Sequence, residues 1–174
     1  TLPLTSSSPF LEVLDITANH INALPSTIDF PSLRALYMEE NTFEAFPNQV
    51  LALTSLEILD IQRNAMTGSL PSMGSLTALK SLNLQFNSLT SSIPSSFSLM
   101  TSLERVVLND NQLTGTIDMF SDLPNLVELS LVNNQLDGPI PRFESTQLEI
   151  LRLTRNNFDS IMDGFDRMDN LLII

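Results

Sequence analysis

The chain has 174 residues, 43% of them hydrophobic, so its composition argues against a disordered chain and supports one domain with an aliphatic core. Eight Lys and Arg against twenty Asp and Glu give a formal net charge of −12, which repels nucleic-acid phosphates and anionic membrane surfaces, so we expect no nucleic-acid partner. Cysteine is absent, which excludes disulfides, thiolate metal sites and cysteine nucleophiles, and no apolar run is long enough to predict direct membrane insertion of this segment.

A nearly regular internal repeat runs along the whole chain. Each unit follows the pattern L-x-x-L-x-L-x-x-N, with small variations at the apolar positions. Complete units start at Leu11, Leu33, Leu56, Leu79, Leu103, Leu126 and Leu148. A further start at Leu171, and a Leu2-Pro3 pair that matches Leu24-Pro25, indicate partial repeats at both ends. We therefore predict one repeat domain over residues 1–174 and interpret it as an interior segment of a longer protein.

The centre of each repeat alternates apolar and polar residues, as a short strand with one buried face does. Stacked repeats would place these strands side by side in one parallel sheet. The inward positions are Leu14, Leu36, Leu59, Leu82, Leu129 and Leu151. The asparagine after each strand could satisfy backbone groups that adjacent repeats would otherwise bury unpaired. We expect this structural role for Asn19, Asn41, Asn64, Asn87, Asn111, Asn134 and Asn156.

A second apolar column lies five or six residues before each new start. Its members are Ile28, Val50, Met73, Phe97, Phe120, Phe143 and Phe165. This column predicts a stacked apolar spine beneath the side of the coils that lies opposite the sheet.

The repeat cores LEVLDITANHI, LEILDIQRNAM, LKSLNLQFNSL and LVELSLVNNQL resemble those of the leucine-rich-repeat family. The resemblance covers nearly the whole chain. It implies an α/β repeat solenoid in the form of a horseshoe or arc. A parallel sheet is expected on its concave face, and short helical, 3-10 or extended segments on its convex face.

From residue 65 onward, four repeats carry a second motif: MTGSLPS, LTSSIPS, LTGTIDM and LDGPIPR. They resemble the L-T-G-x-I-P form of plant-type extracellular leucine-rich repeats in receptor-like kinases, receptor-like proteins and protist surface proteins. Gly68, Gly115 and Gly138 match its glycine, which permits a tight bend, and we expect a short second strand after that bend. Ser92 and Asp118 depart from the form at single positions. The first two repeats are of a different, L-P type, and the seventh abandons the form.

Side chains that could support catalysis or metal binding are few. His20 is the one histidine, and its place after a repeat asparagine is typical of a surface turn. Asp159, Asp163, Asp166 and Asp169 cluster, but their spacing is wrong for an EF-hand calcium loop. We interpret them as a solvated acidic turn. The sequence thus predicts no enzyme activity, no cofactor and no metal site.

The outward positions of the predicted sheet are the candidates for recognition, because they vary from repeat to repeat. Six of the eight basic residues fall on this face. Because aromatic and arginine side chains dominate binding hot spots, we expect an anchor cluster of Tyr37, Arg34 and Arg63. The predicted binding residues are Arg34, Tyr37, Asp60, Arg63, Asn83, Phe86 and Arg105. The alternative is that the charges on this face form salt pairs between strands.

The resemblance implies that the chain binds a macromolecule, with a protein or peptide as the expected ligand, in a receptor-like or secreted protein outside the cell or at its surface. One alternative is a cytoplasmic scaffold, which the L-P repeats and the absence of an N-x-S/T glycosylation sequon favour. Another is a structural cell-wall or surface-coat protein, which the varied outward residues disfavour. The apolar residues Leu171, Leu172 and Ile173 predict self-association through uncapped ends.

Overall fold

The computed structural model describes residues 8–162 and the backbone of residues 172–173. Seven coils stack on one another, and each begins at the first leucine of a sequence repeat. We number coils 1 to 7 from Leu11, Leu33, Leu56, Leu79, Leu103, Leu126 and Leu148. This stack of parallel strands confirms the predicted repeat solenoid. The predictions for Phe165, Asp163, Asp166, Asp169 and the ends of the chain lie outside the described residues.

The regular elements are short strands and shorter stretches of 3-10 helix. In chain order the described strands are β1 Val13–Asp15, β2 Ala35–Tyr37, β3 Ile58–Asp60, β4 Thr67–Ser69, β5 Ser81–Asn83, β6 Ser88–Ser92, β7 Arg105–Val107, β8 Gln112–Gly115, β9 Glu128–Ser130, β10 Gln135–Ile140, β11 Ile150–Arg152, β12 Asn157–Ile161 and β13 Leu172–Ile173. The 3-10 helices are Asn48–Ala52, Ser95–Leu99 and Asp118–Phe120. None of the helices in the described part of the chain has the length and apolar character needed to cross a bilayer.

Eight strands form one parallel sheet in the order β1-β2-β3-β5-β7-β9-β11-β13. Its register places the repeat leucines in one column, in which Leu14 pairs with Leu36, and Leu59 pairs with both Leu36 and Leu82. Leu59 and Leu82 are fully buried, and Leu14 in the first coil is partly buried. Because neighbouring residues of a strand point to opposite faces, the residues on either side of each leucine line up in outward rows.

The repeat asparagines lie at the turns that follow the first seven strands of this sheet. The amide nitrogen of Asn111 donates to Leu108 O in its own coil at 3.2 Å and to Leu84 O in the preceding coil at 3.1 Å. The side-chain oxygen of Asn111 accepts the backbone N–H of Leu89, also in the preceding coil, at 3.0 Å. Bonds to the preceding coil are likewise made by Asn41, Asn64, Asn87, Asn134 and Asn156. In the first coil, Asn19 donates to carbonyls of its own coil.

The second apolar column stacks inside the coils, on the side away from the eight-stranded sheet. Val50, Met73, Phe97 and Phe120 are fully buried. The rings of Phe97 and Phe120 meet edge to face, with centroids 5.9 Å apart. Aromatic pairs favour this arrangement, so the column stabilises the contact between neighbouring coils.

A second parallel sheet begins at coil 3 and has the order β12-β10-β8-β6-β4. The prediction that the second strand of each coil follows the motif glycine is wrong. The glycine lies inside the strand or at its end. Gly68, Gly115 and Gly138 have φ angles of 76°, 78° and 74°, so they bend the strands while the pairing between coils continues. Coil 7 lacks the motif but still supplies β12, whose backbone pairs with that of β10.

The residue that replaces the motif glycine in coil 4 is Ser91. The prediction that this departure from the motif falls at Ser92 is wrong. Ser91 has a φ of 67°, close to the values of the motif glycines, and Ser92 has no positive φ. A side chain in this left-handed region crowds the backbone, so Ser91 is strained where glycine is not. Asp118, which replaces the motif proline in coil 5, begins the 3-10 helix Asp118–Phe120.

Candidate binding face

The solvent-facing side of the eight-stranded sheet, which we call the concave face, carries the variable positions of each repeat. These are the second, third, fifth, seventh and eighth positions, counted from the leucine that starts the coil. The parallel register aligns each position in a row, with neighbours about 4.8 Å apart on adjacent strands. The rows therefore decide which of the predicted binding residues lie together.

Tyr37 lies in the fifth-position row between two carboxylates. Its Cα pairs with Asp15 on one side and with Asp60 on the other, and the residue is half-buried. Hydrogen bonds from the side chain and the backbone N–H of Thr17 lower the pKa of Asp15. Two residues beyond Tyr37 lies Glu39, whose Oε2 is buried and accepts no hydrogen bond from any described residue.

Asp60 is the point on which several amide groups of the concave face converge. Its Oδ2 accepts Asn83 Nδ2 at 3.0 Å and Gln62 Nε2 at 3.1 Å, and its Oδ1 accepts the backbone N–H of Gln62 at 3.1 Å. Burial nevertheless raises the pKa of Asp60, against the lowering effect of these bonds and of the Arg105 charge. Asn83 is only 5% exposed. It therefore holds Asp60 in place, and a partner on this face has little access to it.

Arg63 lies in the eighth-position row between Glu40 and Phe86. Its guanidinium carbon is 4.9 Å from the centroid of the Phe86 ring, within the range of a cation–π contact. Its Nε is 3.9 Å from Glu40 Oε1. Phe86 is 42% exposed although it is a large apolar residue. The sequence groups Arg63 with Tyr37, and the structure instead pairs it with Phe86.

Two glutamates each bind two cations across neighbouring coils. Glu57 binds Arg34 and also Lys80, the latter at 2.8 Å, and hydrogen bonds from Lys80 and Arg34 lower the pKa of Glu57. Glu128 binds Arg105 at 2.7 Å and Arg152 at 2.6 Å. The predicted binding residues Arg34 and Arg105 are thus held in ion pairs, although their side chains are 63% and 50% exposed.

Glu57, Glu128 and Glu39 are not among the predicted binding residues. For Glu57 a signal exists in the sequence, because the second-position row reads Arg34, Glu57, Lys80 and alternates in charge. Nothing in the sequence marks Glu39, since the burial of its carboxylate depends on the conformations of side chains in the adjacent coils.

Away from the concave face, the described residues offer little chemistry. A cavity of about 310 Å³ lies between residues 22–24 and residues 43–47, at the coils that precede the second sheet. His20 is exposed. In the part of the chain that the structure describes, no three Asp, Glu or His side chains are grouped so that they could hold a metal ion.

A family model and a known plant protein both match the repeat pattern of this chain. Residues 77–136 match the family model described as leucine rich repeat. Receptor-like protein 41 from Arabidopsis thaliana is 36% identical over 73 residues, which are 40% of this chain and 8% of that protein. This chain therefore spans a small part of the length of that curated relative.

Solved structures of plant receptors share the fold. The LRR ectodomain of the plant membrane receptor kinase GASSHO1/SCHENGEN3 from Arabidopsis thaliana, in complex with CASPARIAN STRIP INTEGRITY FACTOR 2, is 28% identical, with a TM-score of 0.73 over 89% of this chain and 20% of that chain. The plant peptide hormone receptor RGFR1, in complex with RGF2, is 25% identical, with a TM-score of 0.76 over 83% of this chain and 24% of that chain. These similarities confirm the predicted resemblance to plant-type repeats.

Proposed function

We propose that this chain, a leucine-rich-repeat solenoid, binds a protein or peptide ligand on its concave face as part of a receptor-like protein at the cell surface. The observation that carries the proposal is the placement of Tyr37, Arg63 and Phe86 on three adjacent coils of that face. Aromatic and arginine side chains contribute most of the binding energy in protein interfaces. The outward residues of the concave face vary from coil to coil, which supports recognition of an irregular partner over contact with a regular lattice.

The similar plant receptors support a binding role in place of catalysis. Two of them are solved in complex with RGF2 and with CASPARIAN STRIP INTEGRITY FACTOR 2. Because this chain spans 24% or less of those receptors, they support the class of ligand and the location without naming the ligand.

The proposed contact area is centred on Tyr37, Asp60, Arg63 and Phe86. A ligand in extended form advances about 3.3 Å per residue, so it would pass one strand, spaced about 4.8 Å from the next, every one to two residues. Arg34 and Arg105, held in ion pairs with Glu57 and Glu128, would border this area. Asn83 would contribute by holding Asp60.

Peptide display on the complete chain tests the proposal. Random peptides of about 10 residues are long enough to cross the seven coils at the spacings given above. Peptides selected on the unmodified chain are expected to lose at least about tenfold in affinity for the double variant Tyr37→Ala, Arg63→Ala, because both side chains are proposed hot spots. The single variant Arg63→Ala, which alters an exposed side chain, should show part of this loss.

The control is the double variant Leu99→Ala, Arg142→Ala, which removes an exposed apolar side chain and an exposed arginine from the convex side. We expect it to bind the selected peptides as well as the unmodified chain does. Thermal melting followed by circular dichroism checks that each variant is folded. Unchanged affinity of the folded concave variants, or a selection that yields no peptides, would contradict the proposal.

A further inference from the structure

Charge is unevenly distributed along the concave face. Coils 1 to 3 carry six acidic and two basic side chains there, a net charge of −4, whereas coils 4 to 7 carry four of each. The acidic residues of the first group are Glu12, Asp15, Glu39, Glu40, Glu57 and Asp60, and the basic residues are Arg34 and Arg63. This distribution attracts cationic groups to the first three coils.

Ion pairs within the chain leave several of these acids without a cation. Arg34 binds Glu57, and Arg63 lies between Glu40 and Phe86. No described cation lies within salt-bridge distance of Glu12, Asp15, Glu39 or Asp60. Three of these four surround Tyr37. We call Asp15, Tyr37, Glu39 and Asp60 the Tyr37 cluster.

Glu39 is the least satisfied member of the Tyr37 cluster. Its Oε2 is buried and has no hydrogen-bond donor among the described residues. A carboxylate oxygen that has lost water normally gains a donor, because burial without one is unfavourable. Its row neighbour Gln62 directs its amide nitrogen to Asp60 and its amide oxygen to Gln85. Glu39 as a whole is half-buried, so part of the residue stays open to solvent on the concave face.

Tyr37 adds an aromatic surface to the three carboxylates. A lysine or arginine side chain is attracted to the face of an aromatic ring, most strongly where water is excluded. The concave face already holds one such contact, since Arg63 lies 4.9 Å from the centroid of Phe86. The Tyr37 cluster has the same kind of ring with no cation of its own among the described residues.

We propose that the ligand of the concave face presents a lysine or arginine side chain to the Tyr37 cluster. The cation would lie against the Tyr37 ring and would donate hydrogen bonds to the carboxylates of Glu39 and Asp60, with Asp15 beyond the ring. This proposal rests on the proposed function and specifies the chemistry of its ligand. The partner is thus a basic segment, oriented with its cationic residue over coils 1 to 3.

Composition of the display-selected peptides tests this chemistry separately from binding itself. Pools selected on the unmodified chain are expected to be enriched several-fold in Lys and Arg relative to the input library. Pools selected on the double variant Glu39→Gln, Asp60→Asn should lose this enrichment and still contain binding peptides. The matched control Glu104→Gln, Glu149→Gln removes the same charge from exposed positions of coils 5 and 7 and should keep the enrichment.

A carbodiimide cross-link locates the contact. The reagent joins a peptide ammonium to a carboxylate that touches it, with formation of an amide and loss of water. Mass spectrometry of the complex with a selected lysine peptide is expected to show the link at Asp15, Glu39 or Asp60. Links confined to Glu104 or Glu149 would overturn the proposal. So would pools without basic enrichment, or enrichment lost equally in both double variants. A selection that yields no peptides at all would overturn the proposed function and this inference with it.

Discussion

At the scale of the residue, one asparagine in each coil satisfies backbone groups that no apolar side chain could satisfy. Asn111 is 8% exposed, and its amide bonds to backbone groups of two coils at once. These groups face a stack of coils and not water, so they have no other partner of suitable geometry. A single side chain therefore stabilises both the turn of its own coil and the contact with the preceding coil.

We expect Asn111→Ala to destabilise the chain by about 2 kcal/mol or more, because it leaves a buried Leu89 N–H and buried carbonyls without partners, each worth about 1–3 kcal/mol. Asn87→Ala should behave in the same way. The control is Asn157→Ala, which changes an exposed asparagine in β12 that is not one of the repeat asparagines; we call the column of repeat asparagines the asparagine ladder. Chemical denaturation measures the differences, and equal losses for Asn111 and Asn157 variants would show that the ladder bonds do not stabilise the stack.

The two carboxylates that flank Tyr37 are expected to respond to pH in opposite directions. Burial raises the pKa of Asp60, so folding favours its protonated form and the wild type gains stability relative to Asp60→Asn as the pH falls from 7 toward about 4. Hydrogen bonds from Thr17 lower the pKa of Asp15, so the wild type loses stability relative to Asp15→Asn as the pH falls from about 5 to below 4, where the unfolded chain takes up the proton first.

Denaturation of the wild type and both variants at several pH values checks these signs. Differences taken against the wild type remove the titration of all other groups. Each variant serves as the control for the other, since both replace an aspartate in the same row. Shifts of the same sign in both variants would contradict the assigned environments of Asp15 and Asp60.

At the scale of the element, residues with positive φ angles occur at two kinds of turn. The two kinds differ in what holds the backbone in that conformation. In each coil the residue before the ladder asparagine has a φ between 52° and 58° and none is glycine. These residues are Ala18, Glu40, Arg63, Phe86, Asp110, Asn133 and Arg155. The ladder hydrogen bonds hold the backbone there. No asparagine side chain holds the bends of the second sheet in this way. Glycine occupies the position of positive φ in three of the four motif coils.

Ser91 occupies the fourth bend without the freedom of glycine. We expect Ser91→Gly to stabilise the chain by about 1 kcal/mol, because it removes the strain of a side chain at a φ of 67°. For a chain of this size the melting temperature should rise by about 2–4 °C. Ser92→Gly is the matched control, and it should lower stability slightly, because glycine there gains freedom only in the unfolded chain. A lower melting temperature for Ser91→Gly would contradict the strain argument.

At the scale of the whole molecule, the solenoid has two structural regions. Coils 3 to 7 are joined by two parallel sheets, whereas coils 1 and 2 contribute strands to one sheet among the described residues. In a solenoid each coil contacts its neighbours, so local stability follows the contacts at each junction. The junctions between coils 1 and 2 and between coils 2 and 3 are joined by strand pairing in one sheet, and each later junction between described coils is joined in both sheets.

Hydrogen exchange is expected to report this division. Backbone amides of β1 and β2 should exchange faster than those of β5, β7 and β9. Opening the first two coils breaks strand pairing in one sheet, whereas opening the later coils breaks it in two sheets. Mass spectrometry of the exchanging chain gives the rates by segment. Equal protection along all of these strands would mean that the second sheet adds nothing to local stability.

The solenoid follows from the sequence alone because its cause is periodic. Leucines that recur at the spacing of one coil leave a single way to bury all of them, and the asparagine and phenylalanine columns agree with it. The concave face likewise follows from the repeat pattern, since the outward positions are fixed once the register of the repeats is known. The proposed class of function is suggested by the resemblance of the motif in coils 3 to 6 to plant-type repeats.

Only the tertiary structure decides which side chains on that face meet. The pairing of Arg63 with Phe86, the burial of Asn83 and the unsatisfied oxygen of Glu39 depend on rotamers that neighbouring coils select. The place of the motif glycines inside or at the end of strands, and the strain at Ser91, depend on backbone angles that pairing between coils imposes. Repetition determines the stack because every coil shares the same burial requirement, whereas recognition depends on contacts that differ from coil to coil and exist only once the coils are packed.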